Sequence, residues 1–174
     1  EDGGVLVQPP RAQRLRPALG DVDGDGDLDL VAGDAGGRTF VYRNTGTRAA
    51  PAFALVTETL VPRSLLRYAP ALADVTGDGR VDLALGVEAT GGVRFFTLPS
   101  IDRAVPLPDT LEALPGATPA FFDADGDGDP DLLVGADGGG FVFFRNGGAS
   151  SGAAAVVAGV HPQPARTVAH LVLA

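Results

Sequence analysis

Cysteine is absent from the 174 residues, and tryptophan, methionine and lysine are absent as well. Without cysteine no disulfide can hold the fold, and neither thiol catalysis nor a thiolate zinc site is available. All 13 basic residues are arginine, which we interpret as a compositional bias rather than a functional signal. Stability is therefore expected to come from packing and, where acidic residues cluster, from a bound metal.

Long apolar runs are also absent. No stretch approaches the roughly 18 apolar residues that a membrane span needs, so no span is predicted. No signal-peptide pattern opens the sequence, which begins with Glu1 rather than Met. We interpret the chain as a processed mature product or part of a longer protein, and both favour a secreted, extracellular or cell-surface location.

Glycine, proline and acidic residues are what the sequence has in excess. The 25 glycines and 14 prolines, with 45% hydrophobic residues, predict one all-β domain over residues 1–174 with many turns. Of the 22 acidic residues, 13 lie in three short segments, although the formal net charge is −9. A clustered basic face is missing, so nucleic-acid binding is not expected.

A repeated unit dominates the sequence. Residues 17–33, 70–86 and 119–135 align without gaps, and nine positions are identical in all three copies: Pro, Ala, Asp, Gly, Asp, Gly, Asp, Leu and Gly. The copies are 53 and 49 residues apart, a period that suits a unit of about four strands. We divide the chain into an N-terminal strand segment (1–16), three repeats (17–69, 70–118 and 119–160) and a C-terminal strand tail (161–174).

Each repeat is predicted to form one antiparallel sheet of four strands. A Pro-Ala strand precedes the acidic segment, and a short apolar strand follows it. The β-branched and aromatic residues of 38–44, 93–96 and 141–146 favour a third strand. We place the fourth strands at 53–60, within 105–114 and at 153–160.

The acidic segments give the repeats a family resemblance. Asp21-x-Asp23-Gly24-Asp25-Gly26-x-x-Asp29 resembles the calcium loop of FG-GAP or VCBS repeats, and the Pro-Ala before it and the Leu-x-x-Gly after it strengthen the likeness. The resemblance covers about residues 17–148. It implies three β-propeller blades of the integrin type, each with calcium bound between its first two strands.

The chemistry of the loops agrees with calcium, which takes six to eight oxygen ligands at roughly 2.3–2.6 Å. Five like charges in nine residues repel one another unless a cation neutralises them. We assign side-chain ligands and one backbone carbonyl to each loop, for up to three ions. The residues are Asp21, Asp23, Asp25, Asp29 and the Asp27 carbonyl in loop 1, and Asp123, Asp125, Asp127, Asp131 and the Asp129 carbonyl in loop 3.

Loop 2 departs from this pattern. Asp74, Asp78 and Asp82 remain, but Thr76 replaces the second aspartate and Arg80 stands at the carbonyl position. A threonine hydroxyl can still coordinate a cation. One negative charge is nevertheless lost and a positive one is added, so site 2 is predicted to be the weakest.

The loops have four other interpretations. An EF-hand needs a glutamate at position twelve and a helix after it, whereas Ala32, Leu85 and Val134 stand there before short β-like runs. Dockerin-like modules fail for want of the same helix, and magnesium prefers a water-rich octahedral shell. Purely acidic, metal-free turns remain the simplest alternative.

An enzyme is not indicated by the rest of the chain. His161 and His170 have no acidic partner or cysteine at ligand spacing, and no serine lies in a nucleophile elbow. A polysaccharide-processing propeller would need converging carboxylates outside the loops. The free candidates show no recognisable pattern: Glu58, Glu88, Asp102, Asp109 and Glu112.

Two functions remain open. One is a secreted calcium-binding module for adhesion, or for binding a protein or carbohydrate, with structural calcium. The other is a self-assembling subunit of an extracellular oligomer or filament, because three blades are fewer than the four to eight that usually close a propeller. The strand-like segments 4–8 and 167–173 would then pair within one chain or join copies.

Overall fold

The computed structural model describes residues 7, 9, 11–63, 68–88, 91–112 and 115–146, without the side chains of residues 109 and 112. These residues form eleven β-strands and no helix, as the glycine and proline content predicted. No helix of the described part is therefore long and apolar enough to cross a membrane.

The strands form three antiparallel sheets, each in chain order. Sheet 1 consists of β1 (Arg16–Gly20), β2 (Asp29–Gly33), β3 (Thr39–Asn44) and β4 (Phe53–Thr57). Sheet 2 consists of β5 (Tyr68–Ala73), β6 (Asp82–Val87), β7 (Gly92–Ser100) and β8 (Arg103–Glu112). Sheet 3 consists of β9 (Thr118–Phe122), β10 (Asp131–Gly135) and β11 (Phe141–Phe144).

The predicted all-β architecture is thus confirmed, with one sheet per repeat. Strand β7 runs beyond the predicted 93–96 because the β7–β8 pairing shifts register at two irregularities and continues. The predicted fourth strand at 153–160 and the terminal segments 4–8 and 167–173 lie outside the described residues. The strands that are described do not close a ring.

Alternation along the strands directs side chains to the two faces of each sheet. In β3, Tyr42 is buried and Arg43 is exposed, and Phe144 of β11 is buried before the exposed Arg145. The period-two interpretation of these Arg-aromatic pairs is confirmed. The aromatic rings belong to the core, and the guanidinium groups reach the loops.

The core lies between sheets rather than within them. Val31 and Val41 of sheet 1 share one apolar cluster with Leu83 and Leu85 of sheet 2. Ala84 and Phe95 of sheet 2 share a second cluster with Leu132 and Val134 of sheet 3. The first strand of sheet 2, β5, contacts both β1 and β9, so the three first strands are neighbours and bring the acidic loops to one end of the molecule.

Candidate metal loops

Each acidic loop connects the first and second strands of its sheet, as the resemblance implied. In loop 1, β1 ends at Gly20 and β2 begins at Asp29. Gly24 and Gly26 have φ of 80° and 93°, the left-handed region that side chains with a Cβ rarely adopt. The corresponding glycines of loops 2 and 3 have φ between 72° and 92°, so the sequence Gly-Asp-Gly permits the same tight curl three times.

Asp21 holds loop 1 in its curled shape. Its Oδ1 accepts hydrogen bonds from the backbone N–H groups of Gly24 at 2.8 Å and Asp25 at 3.1 Å, and its Oδ2 accepts one from Gly26 at 2.9 Å. A carboxylate offers about four lone-pair positions. Three internal bonds therefore leave Asp21 with capacity for one further ligand.

Asp29 is the buried end of the loop, with no solvent exposure. Its Oδ2 accepts a hydrogen bond from the N–H of Val22 at 3.0 Å, and its Oδ1 accepts one from Asn44 at 2.8 Å. Burial raises the pKa of Asp29, these two hydrogen bonds oppose the rise, and the charges of Asp23 and Asp25 add to it. Ionisation of Asp29 thus costs more free energy than that of an exposed aspartate, and a nearby cation would offset that cost.

Carboxylate oxygens converge in loop 1 on the scale that a calcium ion needs. Oxygens of Asp21, Asp23 and Asp25 lie within 4.8 Å of one another. Two ligands at roughly 2.3–2.6 Å from a shared calcium ion are at most about 5 Å apart. The donor set consists of hard oxygens alone, so the residues present fit calcium.

Loop 3 repeats the arrangement with one difference. Asp123 accepts N–H hydrogen bonds from Gly126 at 2.7 Å and Gly128 at 3.1 Å, as Asp21 does in loop 1. The converging oxygens belong to Asp123, Asp125 and Asp131. The buried last aspartate is therefore part of the cluster here, whereas in loop 1 Asp25 takes that place.

Loop 2 keeps the curl but differs in its polar contacts. Asp74 accepts hydrogen bonds from the N–H groups of Gly77 and Gly79, both at 2.7 Å. Thr76 donates its hydroxyl to Asp82 Oδ2 at 3.0 Å, and burial raises the pKa of Asp82 despite that bond. Among the described residues, the converging acidic groups lie in loops 1 and 3 and none includes loop 2. The Arg80 guanidinium donates a hydrogen bond to the carbonyl of Pro99 at 3.1 Å.

Two arginines contact the second aspartate of their loops. Arg43 Nε lies 2.6 Å from Asp23 Oδ2, and Arg145 forms the same pair with Asp125. The equivalent strand position in sheet 2 is Thr97, opposite the loop that has Thr76 in place of an aspartate. Sheets 1 and 3 thus have both the arginine on the third strand and the aspartate in the loop, whereas sheet 2 has threonine at both positions.

The two residues that follow these arginines, Asn44 and Asn146, also contact the loops and were not predicted from the sequence to do so. Asn44 N–H binds Asp29, and Asn146 N–H binds Asp131 at 2.7 Å, so the end of the third strand fixes the last loop carboxylate. The Arg-Asn pair that follows an aromatic residue in copies one and three, and that Thr97-Leu98 replaces in copy two, is a sequence correlate of these backbone N–H contacts rather than their source. It marks the same two loops whose carboxylates converge.

Three sheets with first strands side by side, each carrying an acidic Gly-Asp-Gly loop between its first two strands, define a β-propeller-like repeat protein. Residues 21–85 match the family model described as FG-GAP-like repeat, from the start of loop 1 into β6. The predicted resemblance is confirmed over that range. No curated protein and no solved structure matches the chain.

Proposed function

We propose that the protein is a secreted calcium-binding module whose bound calcium, up to three ions, stabilises a propeller-type scaffold that displays a binding surface. The observation that carries this proposal is the convergence of oxygens from Asp21, Asp23 and Asp25 within 4.8 Å, repeated by Asp123, Asp125 and Asp131. The Asp27 and Asp129 carbonyls and the remaining loop carboxylates would complete the two shells. Site 2, with Asp74, Thr76, Asp78, Asp82 and the Arg80 carbonyl, would bind most weakly.

Calcium acts here by compensating charge at the turn between two strands. The Asp29 carboxylate is fully buried beside two further aspartates, and a cation placed among them removes the repulsion that folding imposes. A site formed only in the native state stabilises the fold by RT ln(1 + [Ca²⁺]/Kd), about 2.7 kcal/mol at a hundredfold excess over Kd. Stability should therefore rise with calcium.

Thermal unfolding in calcium and in excess chelator tests this role. We expect Tm to fall in chelator and to be restored by calcium, and to be restored only weakly by magnesium at the same concentration. The triple variant Asp25→Asn/Asp78→Asn/Asp127→Asn should lose the response. The matched control is Asp102→Asn, because Asp102 is exposed and lies outside the loops. A Tm that is independent of calcium in the unmodified chain would contradict the proposal.

The binding surface that we propose lies between loops 1 and 2. A cleft of ≈ 650 Å³ opens there, with Asp21 and Asp23 on one side and Asp74 and Arg80 on the other. Carboxylates, a guanidinium and the exposed rim at Ser100 offer hydrogen bonds to a protein loop or a carbohydrate.

Blocking the cleft tests the binding role. Immobilised polysaccharides and extracellular-matrix proteins would be probed with the unmodified protein and with Ser100→Trp, which places a bulky ring at the rim. We expect a captured ligand to lose affinity for this variant while Tm and calcium binding are unchanged. Thr47→Trp is the control, because Thr47 lies in the turn before β4 and does not line the cleft. Equal binding by both variants would place the ligand elsewhere.

Self-assembly through the terminal strands is the second candidate function. The observation that favours it is that sheet 3 ends the described series with exposed apolar side chains, since Phe141 is 57% and Phe122 45% exposed. Added strands from a neighbouring copy would give a closed oligomer or a filament. Light scattering of the chain lacking residues 165–174 checks this, since an unchanged mass would exclude that tail as the joint.

A further inference from the structure

In sheets 1 and 2, the same face of the sheet packs against the sheet that follows it in the chain. Val31 faces sheet 2, and its equivalent Ala84 faces sheet 3, since these residues belong to the clusters shared with the following sheet. The equivalent residue of sheet 3 is Leu133. Like Val31 and Ala84, it follows the first leucine of the second strand of its sheet, and it occupies the same place in the strand pairing. We call the side of sheet 3 that carries Leu133 the front face; it consists of Ala120, Phe122, Leu133, Phe141 and Phe143.

Burial differs sharply between this face and its counterparts. Val93 and Phe95 of β7, which face sheet 3, are 0% and 1% exposed. Their equivalents in β11 are Phe141 and Phe143, and Phe141 is 57% exposed while Phe122 beside them is 45% exposed. The rings of Phe122 and Phe143 lie 5.9 Å apart, so the exposed aromatics are contiguous. The front face therefore has the apolar composition of an interface between sheets, but no described residue covers it.

A repeated glycine gives a second, independent observation. A Cβ added to Gly33 would lie 2.3 Å from the carbonyl oxygen of Tyr68, and one added to Gly86 would lie 2.1 Å from that of Ala117. In both cases the backbone entering the next sheet crosses directly over the glycine. At Gly135 the nearest described atom is 3.6 Å away, on Phe141. The third repeat therefore keeps the glycine at position 135, although no backbone among the described residues crosses over it.

The repeat period supplies the segment that would cross there. The first strands carry Ala18, Ala71 and Ala120 at equivalent positions, 53 and 49 residues apart. A further 49 residues lead to Ala169, within the apolar sequence Thr-Val-Ala-His-Leu of residues 167–171. By the same count, the carbonyl that follows Tyr68 and Ala117 in this series belongs to Arg166.

The opposite end of the series shows that this chain covers an end face with its own residues. Phe40 and Tyr42 point away from sheet 2, yet Phe40 is 0% and Tyr42 5% exposed. Val7 and Ala12, which precede β1, pack against them. Coverage of a terminal sheet by a flanking segment is thus a property of this chain.

We propose that residues 166–171 form the first strand of a partial fourth repeat and cover the front face of sheet 3 within the same chain. The residue at position 166 crosses Gly135, and Val168 and His170 contact sheet 3 as Pro119 and Phe121 of β9 contact sheet 2. This arrangement buries the phenylalanines and depends neither on calcium nor on the ligand proposed above.

A disulfide cross-link tests the contact, in a chain that has no other cysteine. In sheets 1 and 2 the ideal Cβ of Gly20 lies 3.2 Å from Leu72 Cβ, close to the roughly 3.5–4.5 Å found across disulfides. The equivalent pair is Phe122 and His170. We expect Phe122→Cys/His170→Cys to oxidise within the monomer, as Gly20→Cys/Leu72→Cys should.

The matched control is Phe122→Cys/Ala169→Cys, because strand alternation points residue 169 to the opposite face. Mass spectrometry and non-reducing gels separate the outcomes. A monomeric disulfide in the 122/170 pair, with at least several-fold lower yield in the control, supports the proposal. Equal yields, absence of a disulfide, or a cross-linked dimer overturn it, and a dimer assigns the face to a second copy.

A second variant keeps the test independent of cysteine chemistry. Gly135→Ala should lower Tm by a shift comparable to that of Gly86→Ala, because both added methyl groups meet a crossing carbonyl. If the face is open, the Cβ of residue 135 meets only ordinary contacts and Tm stays unchanged or rises, which overturns the proposal. Neither outcome alters calcium binding, so failure here is distinguishable from failure of the proposed function.

Discussion

Asp34 illustrates how much of the fold depends on single carboxylates outside the loops. It accepts hydrogen bonds from the N–H groups of Gly36 and Arg38 and from the Arg38 guanidinium, at 2.9, 2.8 and 2.7 Å. Burial opposes its ionisation, but the bonds and the charge of Arg38 together lower the pKa of Asp34 below its ordinary value. The Asp34 carbonyl also accepts the N–H of Tyr68 at 3.2 Å, which joins sheet 1 to sheet 2.

We predict that Asp34→Asn lowers the free energy of unfolding by about 2 kcal/mol at pH 7, the scale of a hydrogen-bonded charge. A lowered folded-state pKa gives stability that is present above the unfolded value of about 3.9 and is lost as pH falls through the folded value. The difference from the unmodified chain should therefore shrink below about pH 4. Urea unfolding from pH 7 downward measures it, with Asp102→Asn as control, and a difference constant across that range would contradict the assignment.

Arg43 carries the second prediction at the scale of single residues. Its half-exposed guanidinium pairs with Asp23, one of the converging carboxylates, so it competes with a cation for the same oxygens. Exposed pairs contribute about 0–1 kcal/mol, so Arg43→Gln should raise calcium affinity by up to about fivefold. Calorimetry in the Asp78→Asn/Asp127→Asn background isolates site 1.

Arg145→Gln is the matched control for this prediction, because Arg145 pairs with Asp125 of loop 3. It should leave the affinity of site 1 unchanged and raise that of site 3 in the corresponding Asp25→Asn/Asp78→Asn background. A loss of affinity in Arg43→Gln would show instead that the guanidinium positions Asp23 for the metal.

At the scale of the loop, identical curls differ in their converging oxygens. Loops 1 and 3 each bring three carboxylates together, whereas Thr76 in loop 2 is hydrogen-bonded to Asp82. We predict that site 2 binds calcium most weakly. Asp25→Asn, Asp78→Asn and Asp127→Asn form a matched set, since each changes the same loop position and keeps the side-chain oxygen that accepts the turn N–H. If calorimetry shows that Asp78→Asn removes the tightest site, the ranking is wrong.

The loops also show what could be predicted from sequence. Alternating Asp and Gly predicted both the tight curl and its place between two strands, because positive φ and oxygen ligation are local requirements. Nothing local predicted that Asp25 joins the cluster in loop 1 while Asp131 joins it in loop 3, since side-chain direction depends on surrounding packing. The Asn44–Asp29 contact spans 15 residues and required the β2–β3 register. The faces of each sheet likewise became distinguishable only when neighbouring sheets were seen to pack.

At the scale of the whole molecule, the sheets share their cores. Tyr68, Leu83 and Leu85 of sheet 2 are buried in the cluster that also holds Val31 and Val41, while Ala84 and Phe95 are buried against sheet 3. Removing either neighbour would expose one face of sheet 2. Because no interface belongs to a single sheet, the described sheets should unfold together rather than one at a time.

We therefore predict a single cooperative transition in differential scanning calorimetry, with calorimetric and van't Hoff enthalpies that agree. The matched variants Asp25→Asn and Asp127→Asn, which change loops of different sheets, should each shift that one transition to lower temperature in calcium. Neither variant should produce a separate unfolding transition for its own sheet, because the shared apolar clusters couple the stability of each sheet to that of its neighbour. Two resolved transitions, one sensitive to each variant, would show that the sheets are independent units and that the calcium loops stabilise them separately.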